Sequence, residues 1–118
     1  MKKLPATYRS FIETYPEIAR AYQSLGEAIH QQGPLTERER RLVKLALAVG
    51  SQQEGAVHSQ TRKGMDHGLT AEEMHQVVLL GMTTLGFPRT IAALTWVDDL
   101  LEPEASPKDP TADEPEQF

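Results

Sequence analysis

Two tetrapeptides of one form, a Thr with a Glu three residues on, constrain this chain more than anything else in it: Thr36-Glu37-Arg38-Glu39 and Thr70-Ala71-Glu72-Glu73. Each has the form of a capping box. The threonine hydroxyl accepts from the backbone N–H three residues on, and the acid at that position reaches back to the threonine N–H. Helices are therefore predicted to begin after Thr36 and after Thr70. Glycine and proline supply the remaining punctuation: Gly33-Pro34, Gly50, Gly68 and Gly86 mark stops, while Pro16 and Pro88 sit where a first helical turn tolerates a missing N–H. No stretch alternates apolar and polar residues as a half-buried strand would.

The pattern predicts an all-α bundle of six helices. The first runs from Pro5 to about Thr14. The second starts at Pro16 and carries Ile18, Ala21, Tyr22, Leu25, Ala28 and Ile29 at steps of three and four. The third follows Thr36; its Leu42, Val43, Leu45, Ala46, Leu47, Ala48 and Val49 are apolar on nearly every face, so it is expected to be the central, most buried helix. A fourth begins within SQQEGAVHSQ, residues 51–60, and runs to about His67. The fifth spans Thr70 to Gly86, and the sixth Arg89 to about Leu101. Several of these helices are apolar over most of their circumference. Either part of that surface faces another subunit, or the third helix is central and the others are ordinary, and the pattern leaves both open.

The 118 residues suit one domain, residues 1–101, followed by an acidic tail, residues 102–118. The tail holds six acids against Lys108 alone, with four of the eight prolines, and is expected to be disordered. The net charge of -5 resides there, because residues 1–101 balance to zero. A formally neutral body offers no basic surface for nucleic acid. No run approaches the roughly 18 apolar residues of a membrane span, and MKKLPATYRS lacks the apolar stretch of a secretory leader, so a cytoplasmic protein is expected.

Chemistry is narrowed by the absence of cysteine, which rules out disulfides, thiolate metal sites and thiol catalysis. Glu54 and His58 lie one helical turn apart. A carboxylate facing an imidazole fixes its tautomer and raises its basicity, as a general base near neutral pH requires, yet an exposed helical pair would have the same spacing. Glu39 shares one side of the third helix with Val43, Ala46 and Gly50; it fits a polar group in a small-residue groove, and equally the acid of the capping box. Glu54, His58, His67 and His75 are possible metal ligands. Only the first two have a defined relationship, so no metal site and no cofactor are expected. Trp96 fits core or interface, and His30 an exposed helix end.

The run LTERERRLVKLALAVGSQQEGAVHSQTRKGMDHGLTAEEMHQVVLLGMTTLGFPRTIAALTWVDDLL, from Leu35, resembles the carboxymuconolactone decarboxylase and alkylhydroperoxidase D family. The likeness lies in a Glu opening an Ala/Leu-rich helix, a break, a helix carrying a His, a Gly-Leu-Thr-x-Glu-Glu turn, and a last pair of apolar helices joined at Gly-Phe-Pro. In the peroxidase branch, two cysteines precede the His by seven and four residues, with a Glu twelve before the first. Counted back from His58, those positions hold Ser51, Glu54 and Glu39.

The resemblance thus implies a pocket of Glu39, Glu54 and His58 without the redox pair, and a homo-oligomer built of trimers or hexamers. One reading is a cofactor-free acid-base enzyme acting on a small organic acid or lactone, with His58 as base or acid, Glu54 orienting it and Glu39 as proton relay. The other is a non-catalytic oligomeric binding or scaffold protein, in which the three residues form a buried hydrogen-bond network.

Overall fold

The computed structural model describes residues 6–101, which are all-α: six helices of nine or more residues and one four-residue helical turn. The helices are α1 (Ala6–Thr14), α2 (Pro16–His30), α3 (Glu37–Ser51), α4 (Glu54–Asp66), α5 (Ala71–Leu79), α6 (Met82–Leu85) and α7 (Phe87–Leu101). None of them is long and apolar enough to cross a membrane. The predicted acidic tail lies outside the described residues. The described residues divide into two compact units, one up to Glu37 and one from Arg38.

In the first unit α1 packs on α2. The break between them falls at Tyr15 because the following Pro16 excludes the helical conformation there, leaving φ -127° and ψ 64°. The Phe11 and Tyr15 rings face each other at 5.4 Å across the corner. The apolar stripe of α2 is present as predicted, but Ile18, Tyr22, Leu25 and Ile29 are all exposed in the single chain.

In the second unit, α7 is the helix against which α4, α5 and α6 pack. Its Ala93 and Val97 close a core with Leu45, Ala48, Val49, Val57, Leu69, Met74 and Val78. The end of α4 shows how sequence builds this core. Gly68 takes φ +87°, its N–H donates to the Met65 carbonyl at 3.1 Å, and the Leu69 N–H donates to the Gly64 carbonyl at 2.9 Å. That is a Schellman motif, which folds Leu69 back over the last turn. Only glycine leaves room beneath it: a Cβ on Gly64 would stand 2.9 Å from Leu69 Cδ1 and 3.2 Å from Met74 Sδ.

The capping box at α5 forms as predicted, with Glu73 N–H donating to Thr70 Oγ1 at 3.1 Å and Thr70 N–H to Glu73 Oε1 at 2.8 Å. Arg38, one residue into α3, donates to Glu73 Oε2 and so ties the starts of α3 and α5 together. These bonds hold the Glu73 carboxyl below its ordinary value, the Thr70 backbone N–H contributing most and the Arg38 guanidinium next.

Two expectations are corrected. The predicted fifth helix is interrupted at Leu80-Gly81, dividing into α5 and α6. A Cβ at Gly81 would sit 3.2 Å from Leu85 and 3.3 Å from the Val78 carbonyl, so the chain turns tightly there. The third helix contributes four buried residues, Arg41, Leu45, Ala48 and Val49, but it is not buried on every face: Val43 and Leu47 remain 44% and 65% exposed, while α4, almost without an apolar stripe, fully buries Val57 and Thr61. Apolarity all round a helix implies burial on every face, and a single copy of this chain covers only one face of α3.

Gly64→Ala is expected to destabilise the protein by about 1 kcal/mol in urea unfolding. Overpacking costs about 1 to 3 kcal/mol, and the better helix propensity of alanine returns up to about 1. The lowered Glu73 pKa stabilises the fold above the ordinary value of 4.5, and that stability is lost as pH falls through the lower folded value. Between pH 6 and 3, the melting temperature of Glu73→Gln should therefore fall less steeply than that of the natural protein.

Candidate functional site

The turn from α3 to α4 sets the position of Glu54. Ser51 Oγ donates to the Ala48 carbonyl at 2.7 Å and Gln52 Nε2 to the Val49 carbonyl at 2.8 Å, so two side chains satisfy the last-turn acceptors of α3. Gln52 adopts φ +58°, a left-handed conformation that costs a non-glycine residue about 1 kcal/mol. Gln53 returns to an extended conformation as the N-cap, and α4 opens at Glu54. A carboxylate there faces the positive end of the helix dipole.

His58, one turn later, points its Nε2 at two carboxylates: Asp99 Oδ2 at 3.0 Å and Glu54 Oε2 at 3.9 Å. The Asp99 contact is a hydrogen bond and the Glu54 contact is not. The three side chains are accessible without being fully solvated, His58 at 27%, Asp99 at 37% and Glu54 at 58%. In the neutral ring this geometry assigns the proton to Nε2, donating to Asp99, and leaves Nδ1 as the lone-pair nitrogen.

Asp99 was not among the residues singled out from the sequence. It stands 41 residues from His58, and no helical period links them. Its neighbour Asp98 pairs with His75 at 2.6 Å. Successive helical residues project about 100° apart, so adjacent aspartates on α7 reach different neighbours, α5 and α4. A signal was present in the form of two acids within the apolar run Ile91 to Leu101, but nothing in it named a partner.

Glu39 is exposed on the first turn of α3 and is not a member of the Glu54, His58, Asp99 group. Lys63 lies on the opposite face of α4 from that group. Its amine is held below the ordinary value, first by partial burial and then by repulsion from Arg41, Lys44 and Arg62. Positive and negative charge thus occupy opposite sides of one helix. A cleft of about 610 Å³ runs between α3, α5 and α6, lined by Leu42, Val43, Ala46, Val77, Leu80 and other mostly apolar groups. Glu73 reaches it, but Glu54, His58 and Asp99 do not line it.

Against known families, the model of the carboxymuconolactone decarboxylase family matches residues 16–99, from the first residue of α2 to Asp99. The chain belongs to the carboxymuconolactone decarboxylase family. A relative is the uncharacterized protein MJ1511 of Methanocaldococcus jannaschii, 35% identical over 79 residues, which cover 67% of this chain and 74% of the relative. No solved structure matches the chain significantly.

As a cysteine-free carboxymuconolactone decarboxylase family member, the protein uses Ser51 to close α3 and Glu54 to open α4, at the two positions that the peroxidase-branch frame gives to thiols. A thiol-disulfide cycle has no atoms to run on there.

The tautomer assignment is checked by long-range ¹H–¹⁵N correlation spectra of the imidazoles at a pH where His58 is neutral. A protonated Nε2 is expected for His58. A ring protonated on Nδ1 would contradict the hydrogen bond to Asp99.

Proposed function

We propose that this carboxymuconolactone decarboxylase-like protein is an acid-base enzyme, with His58 as the proton-transferring group and a small organic acid or lactone as substrate. The supporting observation is the 3.0 Å bond from His58 Nε2 to Asp99, which leaves Nδ1 able to accept a proton. When Nδ1 takes a proton from carbon next to a carbonyl, the ring becomes an imidazolium, and Asp99 stabilises that charge through the existing bond. The reverse transfer delivers the proton to the carbanion left when carbon dioxide departs. Glu54, at 3.9 Å, adds a second negative charge beside the ring. A substrate carboxylate is repelled from that spot, which favours presenting the carbonyl or lactone end to His58.

The orienting role expected of Glu54 thus passes to Asp99 in this proposal, and Glu54 serves as an electrostatic partner. Glu39 keeps its proposed relay role as a proton donor reached through solvent; Glu39→Gln should lower turnover, and unchanged turnover would remove it from the relay.

The second reading, an oligomeric binding or scaffold protein, is favoured by the apolar side chains left exposed: Tyr22, Leu25, Leu47 and Leu80 are each more than half exposed. Large apolar side chains left in water within each of the two units are candidates for covering by another copy of the chain. A homo-oligomer, trimer or hexamer, is proposed under both readings.

The deciding experiment assays the full chain against lactones and keto acids. His58→Ala should abolish turnover with an unchanged circular dichroism spectrum, and Asp99→Asn should lower it by about 10²- to 10⁴-fold. Turnover unchanged in His58→Ala would remove this residue from the mechanism.

A further inference from the structure

Metal ligation is unattractive on sequence because only Glu54 and His58 have a fixed relationship, and two ligands do not make a site. The fold supplies a third. Asp99 arrives from α7 on the same side of the ring, and one donor atom from each of Glu54, His58 and Asp99 lies within 4.8 Å of the others. We propose that these three residues bind one first-row divalent cation, of the class from Mn²⁺ to Zn²⁺.

The distances suit such an ion. Bonds of about 2.1 Å in a tetrahedral arrangement place donor atoms about 3.4 Å apart. The observed separations of 3.0 Å to Asp99 and 3.9 Å to Glu54 bracket that value. Small rotations of exposed carboxylate side chains bring all three donors into range, while the ring is already held by helix α4. The donor set is one imidazole and two carboxylates without thiolate. The nitrogen favours transition metals over Ca²⁺ and Mg²⁺, and the absence of sulfur disfavours Cu(I).

Electrostatics points the same way, since two carboxylates beside one neutral imidazole leave a net double negative charge that a divalent ion neutralises. With exposures of 27% to 58%, the site keeps room for water or a ligand to complete the coordination shell.

A separate observation comes from the next turn of the helix. Thr61 lies one turn after His58, on the side of α4 that carries Glu54 and His58. It is fully buried, and its Oγ1 has no hydrogen-bond partner among the described residues. Buried hydroxyls are ordinarily satisfied, so an unpartnered one a turn from His58 is a polar group in reserve near the site.

Cation binding does not rest on the proton-transfer reading. A metal on Nε2 displaces the proton shared with Asp99, so the two states compete at one atom. Turnover measured in EDTA reads the first proposal and direct metal titration reads the second, and either can fail alone.

The test is calorimetric titration of tag-free, EDTA-stripped full-length protein with ZnCl₂, repeated with MnCl₂. One Zn²⁺ per chain is expected, with a melting temperature that rises on loading. Asp99→Asn and His58→Asn should each weaken Zn²⁺ binding at least tenfold. Glu54→Gln, at an exposed helix start, should weaken it while the protein stays folded, which keeps the test decisive if a buried-side variant misfolds. His75→Asn, whose partner is Asp98, should leave the affinity unchanged. Absence of saturable Zn²⁺ binding, equal affinity in Asp99→Asn, or an equal loss in His75→Asn would overturn the proposal.

Discussion

The packing of α7 against α4 is the constraint on which residues 38–101 depend. Both helices bury small and medium residues: Thr90, Ala93 and Val97 on α7, and Val57, Thr61 and Gly64 on α4. The same apposition has a polar edge, where Asp99 meets His58 at 3.0 Å. One helix contact therefore does two things. It closes the core, and it carries a carboxylate across 41 residues of sequence to an imidazole. Glu54 joins them through the local route, by opening α4 one turn before His58.

Most of the fold was legible because its signals are local. The Thr70 capping box, the glycine stop at Gly68 and the proline at Pro16 each act within a few residues, and each appears where the sequence places it. The exposed face of α3 was not legible, because apolarity shows that a face avoids water without showing what covers it. Val43 and Leu47 read as core and stand exposed in one chain. The interruption at Leu80-Gly81 escaped for the opposite reason: the apolar period continues across it, and the turn is set by the close contacts of Gly81. Within the site, Glu54 and His58 could be paired by helical spacing, while Asp99 could not, since its partner is fixed only by tertiary packing. Glu39, aligned by the family frame, stands outside the group.

Family membership and site chemistry pull in different directions here. The frame that carries two thiols in the peroxidase branch is retained in spacing, yet Ser51 and Glu54 have become parts of a helix end and a helix start. What remains is an imidazole between carboxylates, a set that can hold either a proton or a cation at Nε2. Proton transfer and metal binding, as proposed, are alternative states of one site, and both draw on Asp99, which the family frame does not single out, as well as on His58.

That dependence is tested most directly by a double-mutant cycle on His58 and Asp99, using His58→Gln, Asp99→Asn and the double variant in urea unfolding at neutral pH. The structure predicts a coupling energy of about 0.5 to 3 kcal/mol, the range for residues in direct contact. Additivity within about 0.3 kcal/mol would mean that the two side chains do not meet, and would contradict the site as described.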